Sequence, residues 1–213
     1  MKSFANADGA VLVAALIDAI EANKGRLSEI DGLIGDGDHG INMSKGFQIC
    51  KRRLDPGAMN MSESLNLLGT VLADEIGGAM GPLYGTILRS MARASRREER
   101  IGADVFARML ESAETSVKDL GQCESGDKTL FDVLGPAASA FRKAVQAGSD
   151  FVSALDAMKA AAEAGRDATT DMVARKGRAS RLGERSRGVP DAGATSCCLL
   201  FVTLADTAKT LMH

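Results

Sequence analysis

The sequence predicts an all-α protein, built as an eight-helix antiparallel up-down bundle or barrel. Apolar residues recur three and four positions apart in eight segments of the 213-residue chain. The apolar content comes largely from Ala, Leu, Met and Gly, only 4% of residues are aromatic and there is no Trp. Ala, Leu and Met favour helices. Alternation of apolar and polar residues, which is typical of strands, is nearly absent.

The first helical segment carries an apolar stripe that includes Leu12, Leu16 and Ile20, with Asp18 and Glu21 opposite. The other seven lie near residues 42–53, 62–76, 83–96, 103–119, 129–147, 151–165 and 194–211. Gly, Pro or polar clusters bound each of them. The run 197–203 is ambiguous, but its continuation to residue 212 favours a buried helix. Since no Pro- or Ser-rich linker divides the chain, we expect a single domain, residues 1–213.

Composition narrows the class of protein. The net charge of −2 gives no overall field that favours nucleic acid or an anionic membrane. The four cysteines form no CxxC motif and indicate buried thiols in a reducing compartment. The N-terminus lacks the pattern of a secretory signal, and no apolar run reaches the ~18 residues of a membrane span. We therefore expect a cytoplasmic protein without nucleic-acid or membrane partners.

Three carboxylates, Asp31, Asp36 and Asp38, fall within eight residues of a glycine-rich segment. Acids this close repel one another unless a cation lies among them. Oxygen ligands on a flexible loop suit Mg²⁺, which commonly binds one or two carboxylates together with substrate phosphates. The segment therefore resembles the metal end of a nucleotide site. The alternative is an acidic turn that leads into a helix near Asn42, with Asp38 as its cap.

This acidic segment is one of four glycine-rich connections. Alternate connections of an up-down bundle lie at the same end, so we expect the four to gather there: residues 31–42, 77–82, 121–127 and 176–193. In the second, the glycines permit close approach either to phosphates or to a neighbouring helix, and the sequence does not separate the two. The fourth is strongly basic from residue 175 to 187. It either closes over a polyphosphate or is a solvated loop, and without interleaved aromatics it does not favour nucleic acid.

Two further motifs are near matches to phosphate-binding patterns. The GxGxxG match at residues 35–40 lacks the strand that a dinucleotide-binding fold requires, so we reject that fold. Residues 121–129 nearly match a P-loop, but Asp127 separates the second glycine from Lys128 and no strand precedes the run. Lys128 and Thr129 then mark either an anion-binding helix start or a capped helix with a solvated lysine.

Taken together, these segments give the chain a resemblance to the nucleotide-binding L subunit of dihydroxyacetone kinases. The resemblance covers nearly the whole chain, through residues 34–40, 42–43, 77–78, 81–85, 126–129, 176–188 and 191–196. It implies an eight-helix antiparallel barrel that holds ADP or ATP at one end through two Mg²⁺ ions. It assigns the metal to Asp31, Asp36 and Asp38. It places around the nucleotide His39, Gly40, Ile41, Asn42, Ala79, Met80, Gly121, Leu130, Arg178, Asp191, Ala192 and Gly193.

Three positions depart from the pattern of this family. Met80 stands where a small hydroxyl residue is usual, Ala192 where proline is common, and Arg181 where an aromatic residue is common. The substitution at Met80 removes a side-chain hydrogen bond near the phosphates or leaves it to the backbone. The acidic triad and the glycine framework are intact.

The resemblance implies a phosphoryl-donor subunit that acts on a short ketose held by a separate K-type subunit. Lys128 and Arg178 would neutralise charge, because phosphoryl transfer depends mainly on positioning and electrostatics. ATP or a phosphotransferase-system protein could supply the phosphate, and the family leaves room for a homodimer. Two alternatives remain: a nucleotide-loaded regulatory subunit without turnover, and a domain like that of fatty-acid kinases. Gly35 and His39 favour the ketone kinases over the latter.

Overall fold

The computed structural model describes residues 2–212 and contains eight α-helices in that part of the chain. They are α1 (Ala10–Ile34), α2 (His39–Arg53), α3 (Met61–Glu75), α4 (Met80–Ser95), α5 (Ala103–Gly121), α6 (Phe131–Gln146), α7 (Phe151–Ala168) and α8 (Ala192–Leu211). Two short strands, β1 (Phe4–Ala5) and β2 (Arg100–Ile101), pair antiparallel. The predicted all-α fold is confirmed, and the ambiguous run 197–203 is part of helix α8.

The helices form a closed ring in which each packs against the next in sequence and α8 packs against α1. Leu16, Phe47, Leu68, Leu134 and Phe201 are among the side chains buried in its core. This core comes from the apolar stripes that the helical periodicity predicted. No helix of residues 2–212 is both long enough and apolar enough to cross a membrane.

The two ends of the ring differ in chemistry. At one end, where α5 and α7 begin, four phenylalanines pack together with ring centroids 5.2–6.5 Å apart: Phe4, Phe106, Phe141 and Phe151. Asp150 caps α7 there by accepting a hydrogen bond from the Ser153 amide. The other end gathers the C-termini of the odd-numbered helices and the N-termini of the even-numbered ones. Glycine and charged residues are concentrated at that second end.

Some helix bounds differ from the sequence prediction, and two of them matter for the site. Helix α1 continues to Ile34, so Asp31 lies on its last turn rather than on a loop. Helix α6 begins at Phe131 rather than near residue 129, because Lys128 has a φ of 61°, which interrupts a right-handed helix.

Candidate functional site

The glycine-rich end of the ring encloses a cavity of about 670 Å³. All four glycine-rich connections contribute to its wall, represented by Asp36, Gly78, Gly121 and Arg178. The predicted convergence of these connections is therefore confirmed. Its physical origin is the up-down topology, which places alternate connections at the same end of the bundle.

Four helices begin at this cavity. Its wall includes the first residue of α2 (His39), the first of α4 (Met80), the residue preceding α6 (Leu130) and the first of α8 (Ala192). The N-terminus of a helix carries partial positive charge and amides without intrahelical partners. Four such ends around one cavity favour an anionic ligand such as a polyphosphate.

The three predicted carboxylates come together at one side of this cavity. Asp31, Asp36 and Asp38 each offer an oxygen, and these atoms lie within 4.8 Å of one another. Gly37, with a φ of 76°, permits the turn that brings Asp36 and Asp38 back towards Asp31. Within residues 2–212, the Asp38 side chain makes no capping bond although it holds the N-cap position of α2. The geometry favours the metal interpretation over the helix-cap alternative, and the all-oxygen donor set fits Mg²⁺.

The basic segment reaches over this acidic cluster. The Arg178 guanidinium forms an ion pair with the Asp36 carboxylate across the mouth of the cavity. Arg178 lies at the start of a 3-10 helical stretch, Arg178–Ser186, which follows Gly177. The arrangement places a planar, permanently charged donor beside the carboxylates, where a phosphate oxygen would also meet it.

A buried hydrogen-bond network that the sequence did not predict lies beneath the acidic cluster. The ring nitrogen Nε2 of His39 lies 2.8 Å from Ser196 Oγ, which lies 2.6 Å from the Tyr84 hydroxyl. Tyr84 donates in turn to the Gly193 carbonyl at 2.9 Å. Burial lowers the pKa of His39 to about 4, against the opposing effect of Asp31, so the imidazole is neutral at pH 7. The single tyrosine of the sequence could have indicated such a network, because a buried tyrosine hydroxyl requires a hydrogen-bond partner.

Asp191 caps helix α8, which carries Gly193 and Ser196 of this network. Its carboxylate accepts a hydrogen bond of 2.7 Å from the Ala194 amide and so caps the helix, while its own amide donates to Thr169 Oγ1. Burial raises the pKa of Asp191 to about 6, partly offset by the Ala194 hydrogen bond and by Lys128. The cap keeps the α8 N-terminus pointed at the cavity.

Lys128 differs from both sequence interpretations. Its side chain is buried, and its ammonium donates to three backbone carbonyls, those of Met172, Ser186 and Val189. The interpretation as a solvated lysine is therefore wrong. It is also not at a helix start, because Asp132 accepts from the Gly126 and Thr129 amides and folds the preceding residues into a compact turn.

Most residues that the family resemblance placed around a nucleotide do line the cavity: His39, Asn42, Ala79, Met80, Gly121, Leu130, Arg178, Asp191, Ala192 and Gly193. Gly40 and Ile41 do not belong to this wall. A Cβ on Gly40 would lie 2.0 Å from the Lys24 carbonyl, so that glycine serves the contact of α2 with α1. The Ile41 side chain is 53% exposed and lies outside the cavity. Their assignment to the nucleotide, which the family resemblance implied, stays a prediction.

The structure also separates the two interpretations of the glycines between residues 77 and 85. A Cβ on Gly81 would lie 2.2 Å from the Ile76 carbonyl, and one on Gly85 would lie 2.7 Å from the Gly69 carbonyl. These two glycines serve packing of α4 against α3. By contrast, Gly77 and Gly78 line the cavity, and a Cβ on either would meet open space. The segment therefore serves both purposes, at different positions.

The fold and the site define an all-α protein with a cavity whose wall includes four helix N-termini and a carboxylate cluster. The DAK2 domain model matches residues 33–206. The chain belongs to the DAK2 family, and within it resembles the DhaL-type subunits.

Among curated relatives, the chain is 37% identical over 184 residues to the Escherichia coli PEP-dependent dihydroxyacetone kinase, ADP-binding subunit DhaL, with 86% of this chain and 88% of the relative aligned. It is 35% identical to the PEP-dependent dihydroxyacetone kinase 1, ADP-binding subunit DhaL, of Listeria innocua, with 89% of this chain and 90% of the relative aligned. It also matches an L-erythrulose kinase of Pectobacterium atrosepticum at 33% identity, over 100% of this chain and 37% of that protein.

The solved structures show the same fold. The dihydroxyacetone kinase of C. freundii in its native form superposes with a TM-score of 0.72 at 22% identity, over 95% of this chain and 35% of that one. The same kinase in complex with AMP-PNP and Mg²⁺ gives 0.69 at 21% identity, over 97% and 35%. The barrel of helices is therefore shared with a part of a larger kinase chain.

Proposed function

We propose that this chain is a single domain that serves as the nucleotide-binding, phosphoryl-donor subunit of a short-ketose kinase. The observation that carries this proposal is the meeting of opposite charges at one cavity. Three carboxylates lie within 4.8 Å of one another on one side, and four helix N-termini line the remainder. A magnesium-bound polyphosphate matches both halves, because the metal suits the carboxylates and the phosphates suit the helix ends.

Asp31, Asp36 and Asp38 would hold Mg²⁺, and two ions are proposed by resemblance to the family. When bound, the metal supplies charge neutralisation for the phosphates. The chain's own residues would bind and orient the nucleotide: the starts of α2 and α8 would offer backbone amides to the phosphates, and Leu130 and Met80 would provide an apolar wall. Arg178 would exchange its contact with Asp36 for the transferring phosphate, where charge develops.

The acceptor would come from a second subunit of the K type. His39 has its Nε2 bonded to Ser196, so this nitrogen is not directed at an incoming acceptor, and the general base is proposed to come with the acceptor subunit. Two relatives support a divided enzyme in different ways. DhaL is named as one subunit of a kinase, whereas the erythrulose kinase carries the matching region as 37% of a longer chain. Either ATP or a phosphotransferase-system protein could recharge the bound ADP.

Mass analysis of the purified, undenatured protein tests this proposal. We expect a mass increase that corresponds to ADP or ATP with Mg²⁺, lost upon chelation with EDTA and restored by Mg-ADP. The rate at which labelled ADP exchanges then separates the two donors, because a resident nucleotide that is recharged in place should exchange slowly. A protein that neither carries nor binds Mg-ADP or Mg-ATP would refute the proposed function.

A further inference from the structure

Lys128 is the most deeply buried cationic side chain described, at 1% exposure. Its ammonium donates to the Ser186 and Val189 carbonyls at 2.6 Å each and to the Met172 carbonyl at 3.2 Å. An ammonium has three hydrogens, so these acceptors use all of them and leave none for a phosphate oxygen. The backbone of Lys128 also has a φ of 61°, a conformation that residues other than glycine rarely adopt.

The three carbonyls lie on the two stems of the basic segment, that is, residues 172–174 on one side and 186–189 on the other. Met172 precedes that segment, whereas Ser186 ends its 3-10 stretch and Val189 follows that stretch. Ser186 joins the stems a second time, because its hydroxyl accepts from the Ala174 amide at 2.9 Å and donates to the Gly183 carbonyl at 2.6 Å. Arg178 lies between the stems and is paired with Asp36. The position of Arg178 therefore depends on the two stems remaining together.

We propose that Lys128 is a positioning residue: its ammonium fastens both stems of the basic segment and thereby holds Arg178 over the acidic cluster. Burying an ammonium is costly unless strong hydrogen bonds compensate for the lost water. Three loop carbonyls that would otherwise lack partners supply that compensation. The expected effect on nucleotide binding rests on the proposed function. The fastening itself does not, because it is a property of the protein without ligand.

The fastening is tested without any ligand by amide hydrogen exchange. We expect Lys128→Met to accelerate exchange in residues 173–188 by roughly tenfold or more, since opening the segment no longer requires breaking charge-assisted hydrogen bonds. Amides within helices α4 and α5 should be unaffected. Lys118→Met, the same change at an exposed lysine of α5, is the matched control. Unchanged exchange in residues 173–188 of folded Lys128→Met would overturn the proposal. If that variant does not fold, Lys128→Gln, which keeps a neutral donor, takes its place with the same expectation.

The consequence at the nucleotide is tested by a double-mutant cycle on Mg-ADP affinity. If Lys128 acts through Arg178, then Lys128→Met and Arg178→Ala should each weaken binding by roughly tenfold, and the double variant by little more than either alone. Effects that multiply to about a hundredfold would indicate that Lys128 acts independently of Arg178 and would overturn the positioning role. If the wild-type protein does not bind Mg-ADP, the proposed function fails, while the hydrogen-exchange result still decides whether Lys128 fastens the segment.

Discussion

At the scale of single residues, the carboxylate cluster makes the sharpest prediction. Asp36→Asn or Asp38→Asn removes an anionic ligand, and we expect either to abolish the thermal stabilisation by Mg-ADP. For the wild-type protein, ligand at 100 times its Kd should add about 2.7 kcal/mol to the free energy of unfolding. Melting curves with and without Mg-ADP measure this difference.

Without metal, Asp38→Asn should be as stable as the wild type or slightly more so, because one member of a mutually repelling set has become neutral, whereas Asp36→Asn also loses the ion pair with Arg178. Asp104→Asn, at an exposed position near the opposite end of the ring, controls for the loss of a carboxylate in general. Stabilisation of wild-type size in both cluster variants would contradict the metal assignment.

Asp191 makes a prediction about pH. Its pKa rises from 3.8 when unfolded to about 6 when folded, because burial disfavours the carboxylate. Between these values the folded state binds more protons, so this group's contribution to stability falls as pH rises, by about 3 kcal/mol at most. Asp191→Asn keeps a capping oxygen but does not titrate. Urea unfolding from pH 4 to pH 7 should therefore show the variant gaining stability relative to the wild type, and a constant difference would contradict the raised pKa.

At the scale of helices, substitution by alanine should have opposite effects on stability at two glycines that lie within helices. A Cβ at Gly165 of α7 would lie 2.2 Å from the Asp132 carbonyl of α6, whereas a Cβ at Gly25 of α1 would meet nothing within 4 Å. We expect Gly165→Ala to destabilise the protein by about 1–3 kcal/mol through overpacking. Gly25→Ala should stabilise it by about 0.4–1 kcal/mol, because alanine favours the helix and loses less entropy on folding. Chemical denaturation compares the two, and equal effects would contradict the described contact of α6 with α7.

The basic segment makes a second prediction at this scale. Arg178 and Arg181 are exposed between Gly177 and Gly183, while the stems on either side are fastened by Lys128 and Ser186. Trypsin should cleave after these arginines in the ligand-free protein and much more slowly with saturating Mg-ADP, since Arg178 then has a phosphate partner as well. Arg93, exposed within helix α4, should resist in both states. Equal cleavage with and without Mg-ADP would indicate a plain solvated loop.

At the scale of the whole molecule, the prediction concerns incompleteness. This chain alone should not phosphorylate dihydroxyacetone measurably, because transfer requires the acceptor oxygen to be held ~3–3.5 Å from phosphorus and nearly in line. Adding a K-type subunit, with ATP or a phosphotransferase donor, should give turnover in a coupled assay. Arg178→Ala should lower that turnover by about a hundredfold without preventing the subunits from associating. Robust turnover by the chain alone would contradict the divided-enzyme proposal.

The sequence by itself determined the all-α class, the eight helices and the acidic and glycine-rich segments, because these depend on periodicity and on local residue chemistry. It also indicated that the glycine-rich connections converge, because alternate connections of an up-down bundle lie at the same end. Tertiary structure decided which glycines face the cavity and which allow two helices to pack closely, as Gly78 and Gly85 show.

Only the tertiary structure could decide the environment of Lys128, whose acceptors lie 44, 58 and 61 residues away in sequence. The same holds for the contact of His39 with Ser196, which are 157 residues apart. The physical reason is that a side chain's burial and hydrogen-bond partners are set by what the fold brings next to it. Local pattern therefore determines which helices form, but packing between distant segments determines what a charged or polar group at their ends can do.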